Sequence, residues 1–229
     1  MTFSDIFKNY DWQEIENEIQ SKKAIDVETA LYKTGRRNLA DFMALISEAA
    51  SPYLEPMAQL SHKLTLRRFG KNIQIYAPLY LSNECYNICT YCGFSFDNKI
   101  KRKTLSIQEY LREGEHLKGL GIEHLLLVTG ESNVAAGLEY IKLAIKNLFP
   151  HFAHISAEVQ PLESSEYQQL RSVGLNSVFI YQETYNSDSY KNYHTKGKKS
   201  NFYYRLETPD PKAKEGIHKV GLGVLLGLE

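Results

Sequence analysis

The stretch His124-Leu-Leu-Leu-Val-Thr-Gly-Glu131 decides the fold. Leu125 to Val128 are apolar without a break, so the segment has no polar face. Strands of that kind belong in a parallel sheet covered on both sides. Gly130-Glu131 ends the strand and sets a carboxylate just beyond it. Upstream, Ser106 and Glu109 form a capping-box pattern for a helix with Ile107, Leu111, Leu117 and Leu120, closed by Gly121. Ile73–Leu81 before it is β-like. Downstream, Val134–Phe149 reads as a helix that stops at Pro150, Ile155–Gln160 as a strand, and Ser164–Val173 as a helix stopped by Gly174. Ser177–Tyr181 is a fourth strand. A polar, tyrosine-rich loop leads to a helical stretch around Phe202–Leu206. Thr208-Pro209 has the form of a new helix start, and Val220–Leu226 of a fifth, glycine-rich strand.

Strands alternating with helices at this spacing imply a parallel (β/α) barrel or a doubly wound sheet. No Gly-x-Gly-x-x-Gly follows the first strand, so a dinucleotide fold is not supported. The polar candidates Cys85, Glu131, Glu158, Gln182 and Glu183 all fall at strand C-terminal ends, where a barrel places its active site. The expected architecture is α/β, a TIM-type (β/α) barrel of about five βα units. A closed eight-stranded barrel typically takes about 250 residues, and the stretch from Ile73 to Glu229 falls well short. The last strand would carry an unpaired apolar edge. The expectation is therefore the N-terminal portion of a longer protein.

Residues 1–70 read as a helical extension and 71–229 as the barrel. Asp11 and Glu14 suggest a capping box before Ile15 and Ile19. A segment near Asp26–Lys33 ends at Gly35. Asn38 caps a third helix with Leu39, Phe42, Leu45 and Ile46 as its apolar stripe. A fourth helix begins near Pro52 and Pro56, carries Leu60, Lys63, Leu64, Arg67 and Arg68, and stops at Gly70.

The chain has 229 residues and 27 basic against 27 acidic side chains, which gives no reason to propose nucleic acid or an anionic membrane as partner. No apolar run approaches the ~20 residues needed to cross a bilayer. No secretory h-region opens the chain. A soluble cytoplasmic protein with reduced thiols is expected.

All three cysteines lie in Cys85-x3-Cys89-x2-Cys92. Three clustered thiolates suit a soft metal centre. On a four-iron cluster they leave one iron open for a small molecule. Two other readings stand beside it. Structural zinc would need a fourth ligand, and no His lies in the loop. Three unrelated buried thiols would sit oddly beside Asn, Tyr and Gly. An odd count and no signal peptide argue against disulfides.

The motifs extend beyond the cysteines. They run Asn83-x-Cys85-x-Asn87-x-Cys89-x-Tyr91-Cys92-Gly93-Phe94, Lys101-Arg-Lys-Thr-Leu105, Leu125-Leu-Leu-Val-Thr-Gly-Glu131, Glu158-Val-Gln-Pro-Leu162, Tyr181-Gln-Glu-Thr-Tyr185, Arg205-Leu-Glu-Thr-Pro-Asp210 and Val220-Gly-Leu-Gly223. Together they resemble the tyrosine lyases of the radical S-adenosylmethionine (SAM) superfamily, and among them the 2-iminoacetate synthases of thiamine biosynthesis. The resemblance covers nearly the whole chain, although family members are longer. Pro211-Lys212 departs from the family, which usually has Arg soon after Pro-Asp.

The resemblance implies a [4Fe–4S] cluster, SAM as its ligand, and L-tyrosine as substrate. It implies cleavage of the tyrosine Cα–Cβ bond to 2-iminoacetate and 4-cresol, a reductant such as flavodoxin or ferredoxin, and thiazole synthase as protein partner. It gives Cys85, Cys89 and Cys92 as iron ligands. Tyr91 stands for the aromatic beside adenine, or for simple packing. Gly130 and Glu131 match the motif that receives the SAM ammonium. Glu158 and Glu183 could take the ribose hydroxyls or join structural ion pairs. Arg205 could pair with the SAM carboxylate or lie on a helix surface. Gly221 and Gly223 match a glycine motif near adenine. Lys101–Lys103 reads as a solvated basic turn, and His194 with Lys196–Lys199 as a flexible loop that could lie over the site. The related tyrosine lyase of [FeFe]-hydrogenase maturation and a non-catalytic fragment or zinc module are the alternatives.

Overall fold

A computed structural model describes residues 2–209 and 216–228. The chain divides into two compact units, Asp5–Ile73 and Gln74–Glu229 with Met1–Ser4. α1 (Phe3–Lys8) is a short N-terminal helix. The Asp5–Ile73 unit is otherwise built from α2 (Trp12–Gln20), α3 (Ala24–Tyr32), α4 (Leu39–Ile46), a 3-10 turn over Glu48–Tyr53, and α5 (Leu54–Phe69). Caps set the starts. The Asp11 carboxylate accepts from the Glu14 N–H, and Asn38 from the Asp41 N–H. Pro52 sits in the 3-10 turn and Pro56 in the first turn of α5, where a missing N–H is tolerated. The apolar stripe of α4 is not the expected one. Leu39, Phe42 and Ile46 are exposed, and the buried positions are Asp41, Met43 and Ala44. Small residues decide this: Ala44 joins Val27, Ala30 and Ala50 in a close-packed core that larger side chains would hold apart.

The Gln74–Glu229 unit is a five-stranded sheet with helices. Its elements are β1 (Tyr76–Ser82), β2 (Ile88–Cys89), α6 (Ile107–Gly119), β3 (His124–Thr129), α7 (Leu138–Leu148), β4 (His154–Glu158), α8 (Ser164–Ser172), β5 (Ser177–Phe179), α9 (Tyr190–Tyr193), β6 (His194–Lys196), α10 (Phe202–Glu207) and β7 (Lys219–Gly221). The sheet order is β1-β3-β4-β5-β7, every pair parallel. Each strand lies beside the next sheet strand in the chain, with no reversal of order. That is barrel winding; a doubly wound sheet would switch direction. Leu125, Leu127, Ile155, Ala157 and Val178 are buried in one core with Ile141 and Ile145 of α7 and Leu170 of α8. Fully burying each Leu, Ile or Val among them contributes roughly 1.5–3 kcal/mol. Tyr110 is completely buried, and its hydroxyl is satisfied by the Asn147 amide at 2.8 Å.

Several boundaries differ from the sequence reading. α7 begins at Leu138 rather than Val134, because residues 132–136 form a turn held by the Ser132 hydroxyl and carbonyl. β7 ends at Gly221; beyond it Val224 makes an isolated bridge to Glu183, with the Leu225 N–H donating to the Glu183 carbonyl at 2.8 Å. Thr208 is the C-cap of α10, and Asp210 and Pro211-Lys212 lie outside the described residues. The stretch 194–199 is not a loose loop. β6 pairs antiparallel with β2 inside the cysteine loop, Cys89 opposite His194.

Candidate cofactor site

A cavity of about 750 Å³ opens at the C-terminal ends of the parallel strands. Cys85, Cys89 and Cys92 form one wall, and Glu131, Glu158 and Glu183 come to it from the ends of β3, β4 and β5. Gln182, expected with them, points elsewhere: it is buried and its amide donates to the Phe202 carbonyl at 3.3 Å.

The cysteine loop is pinned from several sides. The Tyr86 N–H donates to the Glu131 carbonyl at 3.1 Å, and the Thr90 N–H to the Tyr193 carbonyl at 3.0 Å. The Ser95 hydroxyl accepts from the Cys89 N–H at 3.1 Å. Gly130 lets the end of β3 approach the loop. A Cβ there would lie 2.3 Å from the Glu84 carbonyl oxygen and 3.0 Å from Cys85 Cβ. The thiols are sheltered, and burial pushes Cys89 up to about 11. Cluster iron would displace that proton, since thiolate is the ligand form. Three thiols on one cavity, with no fourth cysteine in the sequence, are a donor set that fits a four-iron cluster with one iron left open.

Glu131 and Arg205 do not present themselves separately to a ligand. Arg205 Nη1 donates to Glu131 Oε1 at 2.6 Å; Arg205 is buried and the Glu131 side chain is partly buried. Asn87 Nδ2 holds the other carboxylate oxygen at 2.8 Å. Burial alone would raise the Glu131 carboxyl; the Arg205 and Lys199 cations outweigh it and hold it below the usual carboxylate range. Arg205 is thus no helix-surface arginine: its Nε also donates to the Tyr181 carbonyl at 3.0 Å.

Glu158 differs. Burial, and next the Glu183 charge, raise its carboxyl. Glu183 pairs with Lys199 at 2.9 Å and has φ +72°, a left-handed conformation rare outside glycine. Strain of this kind costs on the order of 1 kcal/mol and gathers at functional sites. Tyr91 lines the cavity, and its hydroxyl meets His194 Nε2 at 2.7 Å. His194 is buried, stacked on Tyr190, and pushed down to about 4 by burial. The neutral ring donates from Nδ1 to the Tyr190 carbonyl and accepts the Tyr91 hydroxyl at Nε2.

Gly221 and Gly223 stand against the Phe179 and Tyr181 rings. A Cβ at Gly221 would meet the Phe179 ring at 2.1 Å, and one at Gly223 the Tyr181 ring at 2.7 Å, so the chain needs glycine there to pass those rings. Lys101–Lys103 is no merely solvated turn, because Arg102 binds backbone carbonyls on both flanks of the cysteine loop. Sequence reasoning gave no individual role to Asn87, and placed Lys199 only within a loop that could lie over the site. Asn87 Oδ1 accepts from the Lys199 N–H at 3.0 Å, joining two segments 112 residues apart. Its place between the first two cysteines was the one signal that could have drawn attention to it.

A parallel (β/α) unit with a three-cysteine loop at its C-terminal face defines the class. The Radical SAM superfamily model matches residues 79–228, and the chain belongs to that superfamily. Its cofactors are accordingly a [4Fe–4S] cluster and SAM. In particular, the chain is 48% identical over 227 residues to 2-iminoacetate synthase of Escherichia coli (strain K12), covering 99% of this chain and 60% of that protein. Identity to 2-iminoacetate synthase of Salmonella typhimurium (strain LT2) is 47%, with the same coverage. The chain thus spans about 60% of the length of these curated relatives. Among solved structures, HydG, a maturase of the [FeFe]-hydrogenase, superposes with TM-score 0.88 at 28% identity, over 96% of this chain and 51% of that one. Methylornithine synthase (PylB) shares the fold, with TM-score 0.68 at 20% identity over 93% of this chain and 59% of that one. No helix among the described residues is long and apolar enough to cross a membrane.

Proposed function

We propose that this chain is the SAM- and cluster-binding part of a 2-iminoacetate synthase, a tyrosine lyase that supplies the thiazole moiety of thiamine. The 48% identity to a 2-iminoacetate synthase across 99% of the chain carries this reading. The bound cluster and SAM would supply a hydrogen-abstracting carbon radical. L-tyrosine would lose its Cα–Cβ bond to give 2-iminoacetate and 4-cresol, with 5′-deoxyadenosine and methionine released.

The chain's own residues hold and orient. Cys85, Cys89 and Cys92 ligate three irons. Tyr91, fixed by His194, offers a ring face for adenine. Gly130 and Glu131 stand at the SAM ammonium, with Arg205 and Asn87 orienting the carboxylate. Glu158 and Glu183 suit ribose hydroxyls. A flavodoxin or ferredoxin would deliver the electron, and thiazole synthase would consume the imine. A cytoplasmic setting suits three reduced thiols.

The test is an anaerobic assay of the full-length protein with dithionite, SAM and L-tyrosine. Appearance of 4-cresol with 5′-deoxyadenosine supports the proposal, and its absence from a cluster-loaded protein overturns it. A second reading, the tyrosine lyase of [FeFe]-hydrogenase maturation, draws on the HydG match at TM-score 0.88. Iron beyond one four-iron cluster per full-length chain would favour it.

A further inference from the structure

Arg102 lies in the link between the cysteine loop and α6. Among the described residues its guanidinium donates only to backbone carbonyls: Nη1 to Asn83 at 2.7 Å and Phe94 at 3.0 Å, Nη2 to Ser95 at 2.7 Å, with longer reaches to Asn98 at 3.3 Å and Phe96 at 3.5 Å. Asn83 precedes the first cysteine and Phe94 follows the last, so one planar cation ties the two ends of the loop together. A five-donor fork suits this; an ammonium cannot reproduce its geometry. Asn83 reinforces the clasp, accepting from the Lys103 N–H at 2.7 Å and donating to the Lys101 carbonyl at 2.9 Å. Phe94 carries a second contact. Its N–H donates to Cys92 Sγ at 3.4 Å while its carbonyl is held by Arg102. Hydrogen bonds to cluster sulfurs favour the reduced, more negative cluster and raise its potential.

We propose that Arg102 is a positioning residue: it clasps the cysteine loop around the cluster and, through Phe94, holds the N–H···S bond on Cys92 that sets the cluster's reduction potential. This rests on the assignment of Cys85, Cys89 and Cys92 as cluster ligands. Two effects follow, slower loss of iron and a higher potential. Neither comes from the positive charge alone.

The full chain and its variants are reconstituted anaerobically with iron and sulfide. Iron release to a chelator and a redox titration followed by electron paramagnetic resonance are then measured, with circular dichroism as the check on folding. Arg102→Lys keeps the charge and loses the fork. It should release iron roughly tenfold faster. Its reduced fraction at a fixed potential should fall about threefold or more. Arg102→Lys matching wild type in both would overturn the proposal, as would faster release with an unmoved potential. Phe94→Ala and Phe94→Pro make an independent pair, both lacking the ring and differing in the N–H. Phe94→Pro should show the lowered potential and Phe94→Ala should not; equal potentials would overturn the N–H···S link even if Arg102 variants fail to fold. Wild-type protein that takes up no cluster would overturn the ligand assignment and this inference with it.

Discussion

Glu131 and Arg205, 74 residues apart, meet at 2.6 Å in a largely buried ion pair at the cavity wall. Cutting one partner of such a pair leaves an uncompensated charge and typically costs 3–5 kcal/mol. Glu131→Gln should therefore lower the melting temperature and weaken SAM binding about ten- to a hundredfold, with cluster content unchanged. Calorimetric titration with SAM checks it; unchanged affinity would remove Glu131 from the SAM site. The carboxyl lies below its usual range when folded, so its contribution to stability is present above the unfolded value and lost as pH falls through the folded one.

Cys89→Ala should abolish the broad absorption near about 400 nm of the reconstituted protein, since two thiolates cannot retain the cluster. Metal analysis gives the opposing result: wild-type protein carrying one zinc and no iron would refute a cluster.

Glu109 caps α6. Its carboxylate accepts from the Ser106 N–H at 2.7 Å and from Lys103 at 2.6 Å. The Lys103 hydrogen bond, then those to Ser106, lower its pKa from 4.5 to about 2. A depressed acid stabilises the fold above the unfolded value and loses that contribution as pH falls toward about 2. After normalising to equal stability at pH 7, acid unfolding followed by circular dichroism should begin at lower pH in Glu109→Gln, because the variant has no such contribution to lose. Superimposable acid transitions would show that the cap contributes nothing.

The 229-residue polypeptide should bind the cluster and SAM yet fail to turn over tyrosine. Among the described residues β1 and β7 are unpaired edges of the five-stranded sheet, and Tyr76, Tyr80, Val224 and Leu226 are exposed beside them. Water entering by that route would quench radical chemistry, and the bare edges favour aggregation. Production of 4-cresol at a rate near that of the full-length protein would show that the substrate pocket lies wholly within these strands.

Much of the fold was legible because the signals were local. The unbroken Leu125–Val128 run, the Ser106/Glu109 box and the stop at Gly121 each concern residues close in sequence, and β3 and α6 fall where those signals set them. The α4 stripe misled because Phe42 and Ile46 are apolar, whereas the packing distance to α3 is governed by alanines.

By itself the sequence determined the parallel α/β class, the cysteine loop with its place after β1, and the carboxylates at strand ends. Spacing and hydrophobic pattern act over a few residues, and a chain must satisfy them wherever it folds. Only the tertiary structure decided that Arg205 faces Glu131, that β6 pairs with the cysteine loop through Cys89 and His194, and that Arg102 clasps the loop's two ends. These contacts need the strands wound side by side. Their specificity lies in distances and hydrogen-bond directions between distant segments, which no local pattern encodes.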